Sequence, residues 1–323
     1  MDDPQLTQLF HDAVEDIEPT NRLMAIRQQT RPRRRRRWYA AGGAVLATAA
    51  VVTGIAIAVR PSADPGPGPS EEPTASDSGS PAHAVAAYYA GRPPQDRRLY
   101  REFHQTKSLD SLTSALRALT TGPSDPDYRT LWPDAAFAGG WIDYPRGLAT
   151  VQLNDASLHD RPTGMTSRDA RLAIEQVIYT VQGVAQQRIP VQFQVEGQPI
   201  DQVYGVATSE PLANRPELDV LALVSISNPT EGRVAEGTFS ADGVACSFEG
   251  TVPWELQDAS GAVVREGFAQ GTMEDHLTPW ETGPIDVSDL PPGTYTFVAS
   301  TDNPTDGADF VVPTTDTRTV VIE

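Results

Sequence analysis

The sequence of 323 residues is short of cysteine and histidine, the side chains that most often bind metals or act as nucleophile and base. One cysteine, Cys246, excludes an intrachain disulfide framework and a multi-cysteine zinc site within one chain. The five histidines are scattered, and no G-x-S-x-G, H-E-x-x-H or phosphate-binding glycine loop occurs. These absences predict no catalytic residues, no metal ligands and no cofactor.

Positive charge is also scarce outside the N-terminal region. The formal net charge is −18, and residues 61–323 carry 16 basic against 37 acidic residues, a net charge of −21. Phosphate binding needs clustered cations, so nucleic acid is not an expected partner.

One long uncharged apolar run is present, Tyr39–Val59, and its 21 residues match the length of a bilayer-spanning helix. Six arginines between positions 31 and 37 precede it and only Arg60 follows, which predicts a cytoplasmic N-terminus and extracellular C-terminal domains. A cleaved signal peptide is the alternative, but its apolar core spans only about 7–15 residues. We therefore expect a single-pass cell-membrane protein with residues 38–60 as its transmembrane segment.

The cytoplasmic tail, residues 1–37, contains an amphipathic pattern within residues 5–18. Its apolar side chains recur at helical spacing: Leu6, Leu9, Phe10, Ala13, Val14 and Ile17. Two interpretations stay open, a helix that docks on a cytoplasmic protein and a helix that lies on the inner leaflet. Beyond the membrane, residues 61–82 are rich in Pro, Ser, Gly and acidic residues, which predicts a disordered, semi-extended spacer.

The first extracellular domain, residues 83–205, has the predicted order β-β-α-β-β-α-β, an α+β fold with helices packed on one sheet. Ser108 is the predicted N-cap of the first helix, which carries its apolar face on Leu109, Leu112, Leu116 and Leu119. Thr166 and Asp169 are typical of a capping box for the second helix.

The sequence of this domain resembles the GerMN domain, named for germination protein M of spore-forming bacteria. The resemblance rests on RLYREFHQ, LTTGPSDPDYRTLWP, GLATVQLN, AIEQVIYTVQGV and VQFQVEGQ, and covers about residues 84–200. It implies an envelope location of the kind found in actinobacterial lipoproteins, and no established catalytic residues.

Residues 217–323 follow a polar connector at 201–216 and contain about seven short strand patterns separated by turn signals. This pattern predicts an all-β sandwich, with Trp254, Phe248 and the small apolar Cys246 in its core. The segments SFEGTVPWELQDASGAVVREGFAQG and PPGTYTFVASTDNPTDGADF resemble the immunoglobulin-like domain of bacterial spore germination. That resemblance implies an adhesion or interaction module.

Four groups of side chains could carry chemistry, and each also has a simpler interpretation. Acid–base or cation chemistry is conceivable for Glu274, Asp275, His276 and Glu281, although acidic loops commonly just solvate a domain. The other groups are His104 beside Arg101 and Glu102, the turn with Asp125, Asp127 and Tyr128, and the tryptophans Trp132, Trp141 and Trp280. The expected roles are a surface histidine, a solvated turn rather than a calcium loop, and core aromatics rather than a sugar-stacking surface.

The sequence therefore favours a non-catalytic cell-envelope protein that binds cell-wall polymer or an envelope protein. One alternative is a membrane-spanning regulator whose tail binds a sigma factor or a sensor kinase. The other is a hydrolase that acts on cell-wall material through the acidic loop.

Overall fold

The computed structural model describes residues 82–323 apart from 94, 96, 248–249, 273 and 302–313. The predicted tail, the predicted membrane span at 39–59 and nearly all of the predicted spacer lie outside these residues. Within the described part of the chain, no helix combines the length and apolarity needed to cross a bilayer.

The first domain contains the predicted sequence of strands and helices together with several shorter elements. Its elements are β1 His83–Gly91, β2 Leu99–Thr106, α1 Ser111–Thr121, β3 Tyr128–Arg129, β4 Phe137–Asp143, β5 Leu148–Leu153, a 3₁₀ helix Ala156–His159, α2 Ser167–Ala185, β6 Val191–Val195, β7 Gln198–Pro199, β8 Gln202–Val203 and β9 Val206–Ala207.

The expectation of one sheet is wrong, because these strands form a three-stranded sheet β2-β1-β3, a four-stranded sheet β4-β5-β6-β7 and the small β8–β9 pair. Helix α2 lies between the two larger sheets. Its residues Ala173 and Val177 belong to the core with β5 and β6, whereas Leu172 and Tyr179 belong to a core with Ala90 of β1. A helix that is buried on both sides separates the strands it contacts.

The predicted start of α1 is also wrong by two residues. The N-cap is Asp110, whose carboxylate accepts a hydrogen bond from the Thr113 N–H at 2.9 Å. Ser108 instead accepts from the Asp110 N–H, and Leu109 precedes the helix with 86 % of its surface exposed. The other predicted leucines are buried.

The capping box of α2 is confirmed. The Thr166 hydroxyl accepts from the Asp169 N–H at 3.0 Å and donates to the Asp169 carboxylate at 2.9 Å.

The second domain is all-β apart from one helical turn, as predicted. Its elements are α3 Glu217–Val220, β10 Val224–Asn228, β11 Arg233–Ala235, β12 Thr238–Ala245, β13 Thr251–Gln257, β14 Val263–Gln270, β15 Thr278–Asp286, β16 Gly293–Ser300 and β17 Thr315–Ile322. Hydrogen bonding runs in the order β10-β12-β15-β14-β13-β16-β17-β11, but β14 and β15 share only the pair Gln270–Glu281. This single pair divides the strands into two sheets, β10-β12-β15 and β14-β13-β16-β17-β11. The two sheets enclose one core, as an immunoglobulin-like fold requires.

The core of the second domain contains one of the two aromatic residues predicted for it. Trp254 is half-buried, and its ring stacks on Phe297 with centroids 5.9 Å apart. The indole lies over Gly267 on the neighbouring strand, where a Cβ would come within 2.6 Å of the ring. Phe248 lies outside the described residues.

Residues 201–216, predicted as a connector, pack on the first domain. Tyr204 is 1 % exposed within the first core, in a left-handed backbone conformation. Leu212 exchanges two backbone hydrogen bonds of 2.9 Å with Val191 at the start of β6.

Candidate functional site

The acidic group that could support catalysis is exposed, and one of its four members lies apart on a strand. Glu274, Asp275 and His276 offer ligand atoms within 4.8 Å of one another, and all three residues are exposed. Asp275 is 3.5 Å from the Nδ1 of His276. Glu281 was expected in the same loop but lies in β15, opposite Asp242. Exposed acidic side chains of this kind are common on protein surfaces, where they solvate the domain.

His104 is half-buried rather than a simple surface residue. Its Nε2 lies 2.9 Å from the Tyr89 hydroxyl and 3.2 Å from the Glu102 carboxylate. Burial lowers the pKa of His104, and the charge of Glu102 acts in the opposite direction. The Glu102 carboxylate also accepts from the Ser124 N–H at 2.8 Å, so this trio fastens the turn after α1 to β2.

The expectation of a solvated turn at Asp125 is wrong. Asp125 is 2 % exposed and forms an ion pair with Arg318 of β17, in the other domain. Its second carboxylate oxygen accepts from the Asp127 N–H at 2.8 Å. Both oxygens are therefore occupied by protein donors, and the side chain is not arranged as a calcium ligand.

Arg318 is the centre of this contact between the two domains, which we call the junction. Its guanidinium donates to Asp125, to the Tyr128 hydroxyl at 2.7 Å and to the Ile226 carbonyl at 2.8 Å. Asp316 accepts from the Tyr128 hydroxyl and, at 2.6 Å, from the Ile226 N–H. Arg318 is 3 % exposed and Asp316 0 %, so a guanidinium, two carboxyls and a phenol share one water-excluded site.

The electrostatics of the junction follow from burial. Two carboxylates face one guanidinium, so the fully ionised cluster has a net negative charge in a low-dielectric environment. Burial raises the pKa of Asp125 to about 7, although Arg318 opposes the shift. Burial also raises the pKa of Asp316 and of Tyr128, whereas the two carboxylates and Tyr128 hold the pKa of Arg318 above its usual value despite its burial.

The burial of Asp316 and Arg318 is not among the predictions, although the alternating pattern of β17 indicates it. Positions 316, 318, 320 and 322 alternate as the buried face of β17. Since Val320 and Ile322 are core residues, the same period places the two charged residues inward.

Two of the three tryptophans are core residues, as expected. Trp132 is 3 % and Trp280 is 2 % exposed, so the three do not form a common sugar-stacking surface. Trp141, by contrast, is 50 % exposed on β4, and Tyr144 in the turn after β4 is 54 % exposed. We call the β4–β5 pair with these two rings the aromatic hairpin.

The hairpin geometry explains why these rings face outward. A Cβ at Gly140 would lie 3.1 Å from the Leu112 side chain, so position 140 faces α1 and Trp141 faces away from it. The turn is closed by the Arg146 N–H, which donates to the Asp143 carbonyl at 3.2 Å, and by Gly147 in a left-handed conformation. Asp143 and the exposed Arg146 also form an ion pair at 3.6 Å, so the hairpin carries polar groups as well as the two rings.

The core position predicted for Cys246 is wrong. Ala245, the last residue of β12, faces the core, and the next residue is half-buried on the other side. The Cys246 thiol donates to the Glu274 carbonyl at 3.6 Å.

Comparison with known proteins identifies both domains. A family model described as "Sporulation and spore germination" matches residues 86–201, and one described as "Immunoglobulin-like domain of bacterial spore germination" matches residues 223–308. No curated protein matches the chain.

One solved structure with similarity to the chain contains the tandem GerMN domains of the sporulation protein GerM from Bacillus subtilis. The identity is 17 % and the TM-score 0.31, over 45 % of this chain and 49 % of that one, so this chain spans about half of that protein's length. The two family matches, which follow one another along the sequence, show that the chain is a GerMN-like protein with a C-terminal immunoglobulin-like domain of the bacterial spore germination type.

Proposed function

We propose that this chain is a membrane-anchored, extracellular and non-catalytic protein that binds cell-wall polymer. The observation that carries the proposal is the aromatic hairpin, which exposes Trp141 on β4 and Tyr144 in the turn that follows. Both domains match modules of spore germination, and neither match is to an enzyme family. Among the described residues, the group Glu274, Asp275 and His276 that could serve catalysis is fully exposed.

The chemistry of the hairpin suits a sugar ring. The face of an indole or phenol ring carries negative charge density and attracts the polarised C–H groups on one face of a pyranose. Asp143 and Arg146 in the same hairpin would supply an acceptor and donors for sugar hydroxyls. Large exposed aromatic side chains favour interaction over simple solvation, because they lose little conformational entropy on binding.

The predicted topology supports the same proposal. A span at residues 39–59 with arginines on its N-terminal side would place both described domains outside the cell, and the Pro-rich spacer would let them reach the wall. Tethering raises the local concentration, so weak individual contacts suffice.

The test is co-sedimentation of the full chain in lipid nanodiscs with purified cell wall, together with measurement of soluble fragments. We expect retention without fragment release, and about tenfold weaker retention for the double variant Trp141→Ala and Tyr144→Ala. Phe268→Ala is the matched control, since Phe268 is 69 % exposed on β14 of the other domain. Fragment release that stops when Glu274, Asp275 and His276 become Ala would replace this proposal with a hydrolase.

A further inference from the structure

A groove on the first domain, separate from the aromatic hairpin, lies between the segment after β3, the 3₁₀ helix and the start of α2. Its volume is about 590 Å³, within the roughly 300–1,000 Å³ typical of ligand pockets. The floor is formed by Trp132, Leu158 and Tyr204, all buried, and Met165 lies on the rim with two prolines. The groove therefore offers a compact apolar surface for one side chain of a ligand.

The floor is held in place by contacts with the surrounding elements. The Trp132 Nε1–H donates to the Ala173 carbonyl of α2 at 2.9 Å, and its ring packs on Tyr204 with centroids 5.0 Å apart. The Tyr204 N–H donates to the Leu158 carbonyl at 2.7 Å. Because these contacts already hold the floor in place, ligand binding does not lose conformational entropy in ordering it.

Arg129 lines the same groove and has donors to spare. Its closest acidic contact is Asp169, with Nη2 to Oδ1 at 3.5 Å, longer than the roughly 2.7–2.9 Å of a strong charge-assisted hydrogen bond. The Nε–H is shielded from solvent without a partner, while 41 % of the side chain remains exposed. A guanidinium has five N–H donors in a fixed fork, a geometry that matches a carboxylate.

The charges around the groove select the kind of anion. Asp169 accepts from Thr166 through Oδ2 and faces Arg129 through Oδ1 in the long 3.5 Å contact, so most of the Arg129 donors remain for a ligand. Among the described residues that line the groove, Arg129 is the one cation. The net charge of −21 on residues 61–323 repels a polyanion, which favours a ligand with one carboxylate. Thr130 and Ser157 also line the groove. The Thr130 hydroxyl accepts from the Trp132 N–H and the Ser157 hydroxyl donates to Asp155, so Thr130 keeps an O–H for a peptide carbonyl and Ser157 keeps an acceptor lone pair for a peptide N–H.

We propose that this groove binds a short peptide through its free C-terminal carboxylate. Arg129 binds the carboxylate, and the apolar floor takes the last side chain of the peptide. The proposal goes beyond binding of wall polymer by the aromatic hairpin, because the two surfaces have no residue in common.

The test uses the full chain in lipid nanodiscs and a fluorescein-labelled tripeptide, Ala-Ala-Leu, as free acid and as C-terminal amide. Fluorescence anisotropy should show the acid binding about tenfold tighter than the amide or better. Arg129→Gln should remove this preference. Arg117→Gln, at an exposed arginine of α1 outside the groove, should retain it. Equal affinity for the two peptides, or no saturable binding at millimolar peptide, would overturn the proposal.

A second pair of variants keeps the test decisive if Arg129→Gln unfolds the domain. Met165→Glu places a carboxylate on the rim and should weaken binding of the acid several-fold more than Met165→Gln does; equal effects would contradict the proposal. Wall retention is measured on the same variants, and we expect Arg129→Gln to leave it unchanged. In the parent chain, wall retention without acid-selective peptide binding would overturn the groove proposal alone, and acid-selective peptide binding without wall retention would overturn the wall-polymer proposal alone.

Discussion

At the scale of single residues, Arg318 has the largest expected effect on stability. Two buried carboxylates and a phenol share its guanidinium. Arg318 is the one cation among the described side chains of the junction. Removing one partner of a buried ionic network leaves uncompensated charge in a water-excluded site. The junction is therefore better understood as a specific lock between two domains than as a net source of stability.

Substitution of Arg318 tests that interpretation. We expect Arg318→Met to lower the free energy of unfolding by about 3–5 kcal/mol, because Asp125 and Asp316 would lose their counter-charge. Arg233→Met, at an exposed position on β11, is the control and should change it by less than about 0.5 kcal/mol. Urea unfolding of residues 72–323 followed by circular dichroism measures both; similar losses for the two variants would contradict the role assigned to Arg318.

Asp125 should make stability depend on pH. Its pKa is about 7 in the folded state against an ordinary 3.8, so the folded protein binds a proton more tightly than the unfolded chain does. The contribution of this group is therefore complete below about pH 4 and is lost as pH rises through about 7.

Between about pH 5 and pH 8, we expect the melting temperature of the parent to fall more than that of Asp125→Asn. The extra fall should be roughly 2–4 °C for each kcal/mol of unfolding free energy that the parent loses when Asp125 ionises. Differential scanning calorimetry on both proteins in matched buffers measures this difference. Because the other carboxyls are the same in both proteins, their contributions cancel. Parallel pH curves would show that Asp125 does not titrate in this range.

At the scale of elements, α2 depends on how its first turn is capped. The Thr166 hydroxyl accepts a hydrogen bond from the Asp169 N–H in the first turn of α2, the helix that forms one wall of the groove. Thr166→Ala should therefore cost about 1 kcal/mol of stability. Thr163→Ala, three residues earlier and equally exposed, is the matched control. Thermal unfolding compares them, and an equal shift for both would mean that the cap contributes nothing.

Local sequence patterns predicted the elements, and they failed where partners come from far along the chain. The capping box at Thr166 is a spacing of three residues, so the sequence alone reveals it. The partners of Asp125 and Tyr128 lie about 190 residues later, and no local pattern links them. The same reason explains why the expected single sheet is two, since burial of α2 on both sides is a tertiary property.

The candidate surfaces were only partly visible in the sequence. Trp141 was noted as an aromatic residue, but its exposure follows from the packing of Gly140 against α1, which composition does not reveal. The groove was not predicted, because Arg129, Trp132 and Tyr204 meet only after the connector folds back on the first domain. Cys246 was misplaced because one residue of offset moves a side chain to the other face of a strand.

At the scale of the whole molecule, the described domains share buried surface as well as charge. Leu221 packs in one cluster with Leu99 and Tyr179, and Ala222 packs in another with Tyr89 and Tyr100. Backbone bonding crosses the boundary too, since the Ala222 N–H donates to the Leu99 carbonyl at 2.9 Å. Residues that follow the connector are thus part of the packing of the first domain.

Polar contacts extend this boundary on both sides of the apolar clusters. Arg101 donates to the Ser227 hydroxyl at 2.8 Å, and Arg188 forms an ion pair with Glu217 at the same distance. Glu217 also accepts from the Leu277 N–H at 2.9 Å. Apolar clusters, a backbone hydrogen bond and polar side-chain contacts thus all cross the boundary between the two domains.

A simple connector at 201–216 would let residues 83–205 and 217–323 each fold alone, whereas the junction leads us to the opposite expectation. Residues 72–323 should unfold in a single transition in calorimetry, with equal calorimetric and van't Hoff enthalpies. Expressed separately, the first domain would expose Leu99, Tyr100 and Tyr128, while the second would expose Asp316 and Arg318 without partners. Each half should therefore melt at a lower temperature than the intact pair, and mixing the halves should restore part of the loss. Two resolved transitions in the intact protein, at the melting temperatures of the separate halves, would show that the junction is a contact between independent domains.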